Sequence, residues 1–379
     1  MARKKHKVRA EFKKNRTPRA RQKDLTRSYE AAGDDDRIHD LRQSQSVSGK
    51  GDLTRKRTVA GAEIVEDASG EVLLPAIDES ECVLGRVLRV HGLASTVQTP
   101  DGTLRECATR RLLKTLSTDQ RHVVAVGDWA WVRPSGETEG IIERVEPRRG
   151  VLCRTSRGKQ QVLATNIDTV LIVASAAEPR IKPNLIDRYL VTAERAEIEP
   201  VVCINKVDLV ELGPLQPLIG VYAQMGYRVL MLSATEGWGI DELRELTAGR
   251  STAITGQSGV GKSSLLNSIE PGLALRVQTV SGDTNKGRHT TTSAELIPLT
   301  SGGFIVDTPG IRQFQIWDVI PEEVAGYFRD IRPFVSQCRY PDCTHTHEDH
   351  CMVKDAVADG FIDARRYESY LQIHRGDEA

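Results

Sequence analysis

Several features common in other classes of protein are missing from this 379-residue chain. No apolar run approaches the roughly 20 residues that a membrane-spanning helix needs. The basic start of the chain, MARKKHKVRAEFKKNR, has no apolar segment, so no secretory signal is expected. The seven cysteines are odd in number and three lie within residues 338–351, which argues against a disulfide framework. We therefore expect a cytoplasmic protein, monomeric and not associated with a membrane.

Net charge is also absent, because 52 Lys and Arg balance 52 Asp and Glu. The balance hides an asymmetry, since residues 1–60 carry a net charge of +10 and residues 61–379 a net charge of −10. Residues 1–76 are polar and poor in large apolar side chains, so we expect a basic, disordered tail. Such a tail either keeps the protein soluble or docks on RNA phosphate.

Residues 77–152 contain five short β-prone segments, separated by turn sequences at Pro100–Gly102 and Pro134–Glu137. Five strands in about 70 residues predict a small β-barrel of the OB-fold type. Trp129 and Trp131 lie two residues apart and therefore share one face of a strand. They either pack in the core or rim of the barrel or offer a surface on which bases stack.

Residues 153–318 change to short apolar runs that alternate with helix-like stretches, which predicts a doubly wound α/β domain. The apolar runs are VLIVAS, PVVCIN, RVLMLSA, TAITG and GFIVDTPG. Residues 319–379 read as a helical segment interrupted by a Cys/His cluster. Two helices are predicted there, over PEEVAGYFRDI and over AVADGFIDARRYESYLQIH.

The segment from Gly256 to Ser263 fits the phosphate-loop pattern G-x-x-x-x-G-K-[ST] and lies between a predicted strand and a predicted helix. In such a loop the backbone amides curl around the phosphates, and the helix N-terminus favours an anion. Lys262 is expected to reach the β- and γ-phosphates, and the Ser263 hydroxyl to bind Mg²⁺. The residues assigned to this loop are Gly256, Gln257, Ser258, Gly259, Val260, Gly261, Lys262, Ser263 and Ser264.

Two earlier motifs predict that the base is guanine. The first is Asn205-Lys206-Val207-Asp208, in which the Asp208 carboxylate can accept hydrogen bonds from the ring N–H and the exocyclic amine of guanine. Adenine lacks this donor pair, so GTP is selected over ATP. Asn205 can tie this loop to the phosphate loop, and the Lys206 stem can pack on the base. The second motif begins with Ser233 and Ala234, where a backbone amide can contact the guanine carbonyl.

The last nucleotide motif is Asp307-Thr-Pro-Gly310, directly after a predicted strand. Asp307 is placed to hold Mg²⁺, often through water, and the Gly310 N–H can reach the γ-phosphate. Ordinary GTPases place the phosphate loop before the base-selecting motif, whereas here the base-selecting motifs come first. A rotated chain order can give the same sheet, so we predict a circularly permuted P-loop GTPase domain.

A metal site is predicted by Cys338, Cys343 and Cys351 with a nearby histidine, because thiolates and imidazole at this spacing suit a closed, tetrahedral structural zinc site. The residues alone leave His345, His347 and His350 as competitors, although His350 adjoins Cys351 and would have difficulty pointing at the same ion. Four basic residues nearby either meet RNA phosphate or form a solvated face. They are Arg339, Lys354, Arg365 and Arg366.

The permuted motif order, the OB-like segment and the Cys/His cluster together resemble the RsgA (YjeQ) family of ribosome-small-subunit-dependent GTPases, over about residues 80–375. The resemblance implies that the protein hydrolyses GTP and assists late maturation of the small ribosomal subunit. Its partners would then be the subunit and its rRNA, with nucleotide state controlling binding and release. Two alternatives are a nucleotide-gated RNA-binding protein whose hydrolysis is incidental, and an ATPase or nucleoside kinase that shares the phosphate loop.

The water-orienting glutamine of Ras-like enzymes is missing, because Ile311 follows the DTPG motif. Turnover should therefore be slow unless another residue substitutes. The resemblance implies that His289 substitutes and that Thr291 binds Mg²⁺ when GTP is present. It also selects His345 as the fourth zinc ligand. The expected catalytic residues are His289, Lys262 and Thr291, and the expected Mg²⁺ ligands are Ser263, Thr291 and Asp307.

Overall fold

The computed structural model of the chain describes residues 7–11, 56–60, 63–67, 70–110, 113, 123–156, 159–273, 294–307 and 320–376. The chain divides into two compact units. The first consists of Met1–Asn166 with Thr291–Leu296, and the second of Ile167–Thr290 with Ile297–Ala379. Within the described ranges, no helix is long and apolar enough to cross a membrane.

The first unit is built from β-strands. They are β1 (Lys7–Glu11), β2 (Lys56–Ala60), β3 (Glu63–Asp67), β4 (Gly70–Leu74), β5 (Val83–His91), β6 (Ala94–Gln98), β7 (Leu104–Thr109), β8 (Trp129–Ser135), β9 (Glu139–Val145), β10 (Leu152–Ser156) and β11 (Lys159–Ala164). Three antiparallel pairs form separate two-stranded sheets: β1 with β2, β3 with β4, and β10 with β11.

Strands β5 to β9 form a closed barrel in the order β5-β6-β7-β9-β8, and β8 pairs back with β5. All neighbours are antiparallel except β7 and β9, which run parallel. Alternate residues point inward, so Val87, Val97, Val132 and Ile142 are fully buried in one apolar core. The predicted OB-like barrel is therefore confirmed, and each of its five strands lies where the sequence predicts it.

The two tryptophans of β8 face away from the barrel core, because Ala130 and Val132 occupy the inward positions between and after them. Trp129 is 40% exposed, and the Arg86 guanidinium lies 4.8 Å from its ring centroid. Trp131 is partly buried and its Nε1 donates to Glu146 Oε1 at 2.6 Å. Neither tryptophan therefore packs in the barrel core, which was one of the predicted positions. Trp129 presents part of its ring to solvent.

A buried ion pair fastens loops of this unit together. Asp128 is fully buried and accepts hydrogen bonds from Nε and Nη2 of Arg148, both at 2.9 Å. It also accepts from the Ala125 amide and the Thr165 hydroxyl, both at 2.7 Å. Burial alone would lower the pKa of Arg148, but the Asp128 carboxylate raises it above its ordinary value. Each oxygen of this carboxylate therefore accepts two hydrogen bonds from residues of the same unit, so the group has a structural role.

Residues 1–76, for which composition favours disorder, contain β1 to β4 among their described residues. Strands β3 and β4 form an antiparallel pair, and Asp67 at the end of β3 accepts from the Arg148 amide at 2.8 Å. Composition averaged over a long segment hides short β-prone runs such as EIVED and GEVLL. The domain boundaries at residues 76, 152 and 318 stay predictions.

The second unit alternates strands and helices. Its elements are β12 (Thr169–Ser175), α1 (Pro183–Arg195), β13 (Glu199–Asn205), α2 (Gln216–Gln224), β14 (Arg228–Leu232), α3 (Ile240–Thr247), β15 (Ser251–Thr255), α4 (Lys262–Ile269), β16 (Glu295–Pro298) and β17 (Phe304–Asp307). Short 3₁₀ helices span Val207–Leu209, Gly213–Leu215 and Pro271–Leu273. The beginning of β16 belongs to the first unit, where Glu295 pairs with Arg89 of β5.

Five of these strands form a parallel sheet in the order β14-β13-β12-β15-β17. Every residue of β12 is buried, as the sequence predicts for a strand covered on both faces. Helices α3 and α4 pack on one face, in an apolar cluster with Leu171, Val201 and Leu230. Helix α1 packs against β12 and β13 on the other face. The predicted doubly wound α/β domain is therefore confirmed.

The C-terminal module, residues 320–376, differs in detail from the two helices predicted there. Residues Pro321–Tyr327 form a 3₁₀ helix, and the remaining helices are α5 (Arg332–Val335), α6 (Met352–Ala358) and α7 (Ala364–Arg375). The prediction of one helix over residues 356–374 is wrong, because α6 ends at Ala358 and α7 begins only at Ala364. Gly360 adopts a φ of +79°, and the Asp363 side chain caps α7 by accepting from the Arg365 amide.

Candidate nucleotide and metal sites

The nucleotide motifs lie at one edge of the parallel sheet, because each begins where a strand ends. The NKVD motif begins at the last residue of β13, Ser233 follows β14, the phosphate loop follows β15, and Asp307 ends β17. The register pairs Asn205 with Leu232 and with Ser175, so neighbouring strands end level with each other. The carboxyl edge of a parallel sheet is where open α/β folds bind their ligands.

The phosphate loop has a backbone that only glycine can adopt at its ends. Gly256 has a φ of +140°, and a Cβ there would lie 2.1 Å from the carbonyl oxygen of Val173 in β12. Gly261 has a φ of +98°, and a Cβ there would lie 2.3 Å from Asn205 Nδ2. Both positions therefore need glycine, one for close packing on the sheet and one for contact with the base-selecting motif.

Lys262 begins helix α4 and folds back over the loop that precedes it. Its Nζ donates to the carbonyl oxygens of Gly256 and Gln257, both at 2.7 Å. Ser263 and Ser264 follow in the first turn of α4, where free amides and the helix dipole favour an anion. The loop thus brings together a cation, two hydroxyls and a helix N-terminus, which is a chemistry suited to phosphate.

Two side chains of the NKVD motif tie the base-selecting loop to the phosphate loop. Asn205 is 2% exposed, and its Nδ2 donates to the Val260 carbonyl oxygen at 2.9 Å. Lys206 Nζ donates to the carbonyl oxygens of Gly259 at 2.8 Å and Glu178 at 2.6 Å. The ammonium of Lys206 therefore joins the phosphate loop to the segment after β12, a contact that the sequence does not indicate.

Asp208 is the residue predicted to select guanine. Its Oδ1 is buried and has no hydrogen-bond partner among the residues that the structure describes. A buried carboxylate oxygen without a partner is costly, so it fits a site that receives donors from a ligand. The ring N–H and exocyclic amine of guanine are donors of this kind.

The Ser233 motif is held by hydrogen bonds on both sides. Ser233 is fully buried, its hydroxyl accepts from the Glu236 amide at 3.1 Å, and its own amide donates to Trp238 O at 3.1 Å. The carbonyl oxygen of Ala234 accepts from the hydroxyl of Ser268 in α4 at 3.2 Å. Ser268 was not expected to take part, and it links this motif to the helix that begins at the phosphate loop.

The remaining predicted nucleotide residues lie outside the described part of the chain. These are His289, Thr291 and Gly310, together with the side chain of Asp307. Their assignments to catalysis, to the γ-phosphate and to Mg²⁺ stay predictions.

The four predicted metal ligands come together. The ligand atoms of Cys338, Cys343, His345 and Cys351 all lie within 4.8 Å of one another. His345 Nδ1 is 3.4 Å from Cys338 Sγ and 3.5 Å from Cys351 Sγ, and the two sulfur atoms are 3.9 Å apart. Tetrahedral coordination at usual bond lengths separates two sulfurs by about 3.8 Å and sulfur from nitrogen by about 3.6 Å. These residues therefore fit a metal ion, and neither His347 nor His350 belongs to the group.

Helix α7 holds the loop that carries His345. Tyr367 Oη donates to His345 O at 2.7 Å, and Tyr370 Oη donates to Thr344 O at 2.6 Å. Burial lowers the pKa of His345, which favours the neutral imidazole that a metal ion needs. Burial raises the pKa of Cys343 to about 12, so a nearby cation is what would favour its thiolate.

Arg366 does not belong to a surface for RNA. Its side chain is almost completely buried and forms ion pairs with Asp187 at 2.6 Å and with Asp330 at 3.0 Å. Both predictions for this residue, that it meets RNA phosphate or that it lies on a solvated face, are therefore wrong. Arg339 remains on the surface near the Tyr340 ring, at 5.7 Å from its centroid.

A protein-family profile described as RsgA GTPase matches residues 145–317 of the chain. The relative from Chlorobaculum parvum, named "Small ribosomal subunit biogenesis GTPase RsgA", is 41% identical over 306 residues, which cover 78% of this chain and 98% of the relative. The chain belongs to the RsgA GTPase family. A protein of the same name from Sodalis glossinidius is 39% identical over 295 residues, covering 76% of this chain and 84% of that protein.

Two solved structures agree with membership of the RsgA GTPase family. The crystal structure of YjeQ from Thermotoga maritima has a TM-score of 0.65 at 35% identity, covering 78% of this chain and 98% of YjeQ. The structure of YloQ, described as a circularly permuted GTPase, has a TM-score of 0.62 at 28% identity, covering 79% of this chain and 97% of YloQ. The predicted circular permutation is confirmed by these matches together with the strand order of the sheet.

Proposed function

We propose that this protein hydrolyses GTP to GDP and phosphate, binds the small ribosomal subunit and assists its late maturation. The proposal that the nucleotide is GTP rests on the contact between the NKVD motif and the phosphate loop, where Asn205 and Lys206 donate hydrogen bonds to loop carbonyls. Beside them, the buried Oδ1 of Asp208 has no partner among the described residues and can accept from guanine. The relatives' names support the ribosomal part. The protein acts as a cytoplasmic monomer, and the partners are GTP or GDP and the subunit with its rRNA.

Several residues divide the work of hydrolysis. Lys262 neutralises the β- and γ-phosphates, the loop amides orient them, and Asp208 selects guanine. Mg²⁺ would be held by Ser263, Thr291 and Asp307, and it would supply charge neutralisation on the phosphates. His289 orients the attacking water, because the apolar Ile311 cannot do so.

The metal in the C-terminal module is zinc in this proposal. Three thiolates and one imidazole fill a tetrahedral site and leave no position for substrate, so the role is structural. Binding of the ion stabilises residues 336–351 of the module, a stretch that contains no helix or strand.

Nucleotide state controls the affinity for the subunit. The DTPG motif leads through residues 311–320 directly into the C-terminal module, so a rearrangement around the γ-phosphate is passed along the chain to that module. The exposed ring of Trp129, against which the buried Arg86 guanidinium lies, is a surface on the barrel on which an unpaired base can stack.

The test measures GTP turnover with and without purified small subunits, with other structured RNA as the control, and repeats both with residues 1–60 deleted. We expect strong stimulation by small subunits and little by other RNA. The deletion should weaken subunit binding and flatten its salt dependence, because it removes a net charge of +10, while GTP affinity stays the same. Equal stimulation by any RNA would favour the alternative, in which hydrolysis is incidental to RNA binding.

A further inference from the structure

The C-terminal module is attached to the nucleotide domain through one face of helix α1. Four residues of that face contact the module, and their spacing of three, four and three places them on one side of the helix. Asn184 Nδ2 donates to Gln372 Oε1 at 3.1 Å, and Glu194 pairs with Arg329 Nε at 2.6 Å. Between them, Asp187 bonds to Arg366, and Val191 belongs to the apolar core of the module.

The centre of this contact is a buried group of charges. Nη1 of Arg366 donates to Asp187 Oδ1 at 2.6 Å, while its Nε and Nη2 donate to the two oxygens of Asp330 at 3.1 and 3.0 Å. Tyr222 of α2 donates to the same oxygen of Asp187 at 3.0 Å. The guanidinium also lies 4.5 Å from the Phe328 ring centroid. Separating the module from α1 would therefore leave the buried charges of Arg366 and Asp187 without each other as partners, which costs free energy.

Helix α7 joins this charge group to the metal site. Arg366 projects from α7 toward α1, and one turn later Tyr370 donates to Thr344, next to the ligand His345. Tyr370 shares the apolar core of the module with the ligand Cys351 and with Val191 of α1. A single helix therefore holds both the metal loop and helix α1.

The opposite face of α1 borders the phosphate loop. Leu185, Ile186 and Tyr189 line a cavity whose other walls include Gln257 and Val260 of that loop. Val260 is also the residue whose carbonyl accepts from Asn205. A shift of α1 would change the packing beside the loop that binds phosphate, because its two faces contact different partners.

We infer that Arg366, through Asp187, makes the C-terminal module a positioning element for helix α1 and thus for the nucleotide site. Affinity for nucleotide and the conformation of the module are then linked within the isolated protein, without any ribosomal subunit. The inference rests on the proposed nucleotide site and adds the route by which that site and the module affect each other. Linkage requires the effect to run both ways, from the module to the nucleotide and from the nucleotide to the module.

The test uses the full chain with the variants Arg366→Met and Asp187→Asn, and with Arg365→Met as the matched control. Arg365 is the neighbouring arginine on α7, is partly exposed and pairs locally with Asp363. Affinity for fluorescently labelled GDP and backbone hydrogen exchange are measured without subunits. We expect Arg366→Met to weaken GDP binding at least threefold and to speed exchange in α1 at least tenfold, with Asp187→Asn in between. Arg365→Met should bind GDP as the unsubstituted protein does.

A second readout separates positioning from simple loss of stability. Saturating GDP should slow exchange in α7 of the unsubstituted protein and of Arg365→Met, and should have no such effect in Arg366→Met. If Arg366→Met does not fold, the same comparison with Asp187→Asn decides. Unchanged GDP affinity in folded variants, with α7 exchange insensitive to GDP in the unsubstituted protein, would overturn the inference. Failure of the proposed function would look different, since the unsubstituted protein would then bind guanine nucleotides no better than adenine nucleotides.

Discussion

Substitution of Gly261 by alanine should disrupt the junction between the phosphate loop and the base-selecting motif. The φ of Gly261 is +98°, and a Cβ there would lie 2.3 Å from Asn205 Nδ2. That overlap cannot persist, so either the loop or the Asn205 amide must move. In both cases the hydrogen bond from Asn205 to the Val260 carbonyl is lost.

The magnitude follows from two costs. A residue with a Cβ at this backbone conformation costs about 1–3 kcal/mol. Loss of the hydrogen bond adds about 0.5–1.5 kcal/mol. The loop escapes these costs by relaxing, and nucleotide binding must then restore its geometry. Since 1.4 kcal/mol corresponds to a factor of ten, affinity for GDP should fall by about ten- to a thousandfold.

The assay is titration with fluorescently labelled GDP, together with urea unfolding to show that the variant is folded. Gly220→Ala is the control, because Gly220 lies in helix α2 with a negative φ and nothing within 4 Å of an added Cβ. That substitution should leave GDP binding unchanged and raise stability by about 0.5–1 kcal/mol, as expected for glycine in a helix. GDP binding by Gly261→Ala within threefold of the unsubstituted protein would refute the reasoning.

Four further predictions concern other parts of the molecule. Asp208→Asn should shift preference from GTP to xanthine nucleotide, measured by competition for labelled GDP, and an unchanged preference would place the base elsewhere. His289→Ala should keep GTP affinity but lower turnover at least tenfold, and equal turnover would remove His289 from the mechanism. Chelation or Cys351→Ser should release one equivalent of zinc and expose residues 320–376 to proteolysis, whereas resistance would show a module that needs no metal. Arg148→Met should cost about 3–5 kcal/mol of unfolding free energy, measured by urea unfolding, because the charge of Asp128 stays buried without its ion-pair partner; a cost below about 1 kcal/mol would contradict a tight pair.

The barrel and the parallel sheet could be predicted because their signal is local. Short β-prone runs between turn sequences predict β5 to β9, and the continuous apolar run within β12 predicts a strand that is buried on both faces. The phosphate loop, Gly256 to Ser263, could also be predicted locally, because its backbone conformation requires glycine at fixed positions. The cysteine spacing likewise identified the metal ligands, although the choice among three histidines came from the family resemblance.

Other features depend on partners that are distant in the chain, and the sequence does not reveal them. Arg366 looks like a surface residue because a charged side chain on a helix normally meets water, yet its partner Asp187 is 179 positions away. Lys206 was expected to pack its stem on the base, whereas its ammonium also bonds to the carbonyl of Glu178, which only the fold brings near. The break at Gly360 shows how a left-handed glycine and a capping Asp363 override helical periodicity.

The permuted strand order has a consequence for synthesis of the chain. Strands β12, β13 and β14 are consecutive in sequence and adjacent in the sheet, so the half that selects the base contains mostly local contacts. Strand β15 begins 19 residues after β14 ends, which at usual translation rates means a delay of about one to four seconds. We therefore expect the base-selecting half to fold on the translating ribosome first, with the buried strand β12 exposing one unpaired edge until β15 arrives. An unpaired apolar edge of this kind is a site for misfolding and for chaperone binding during that interval.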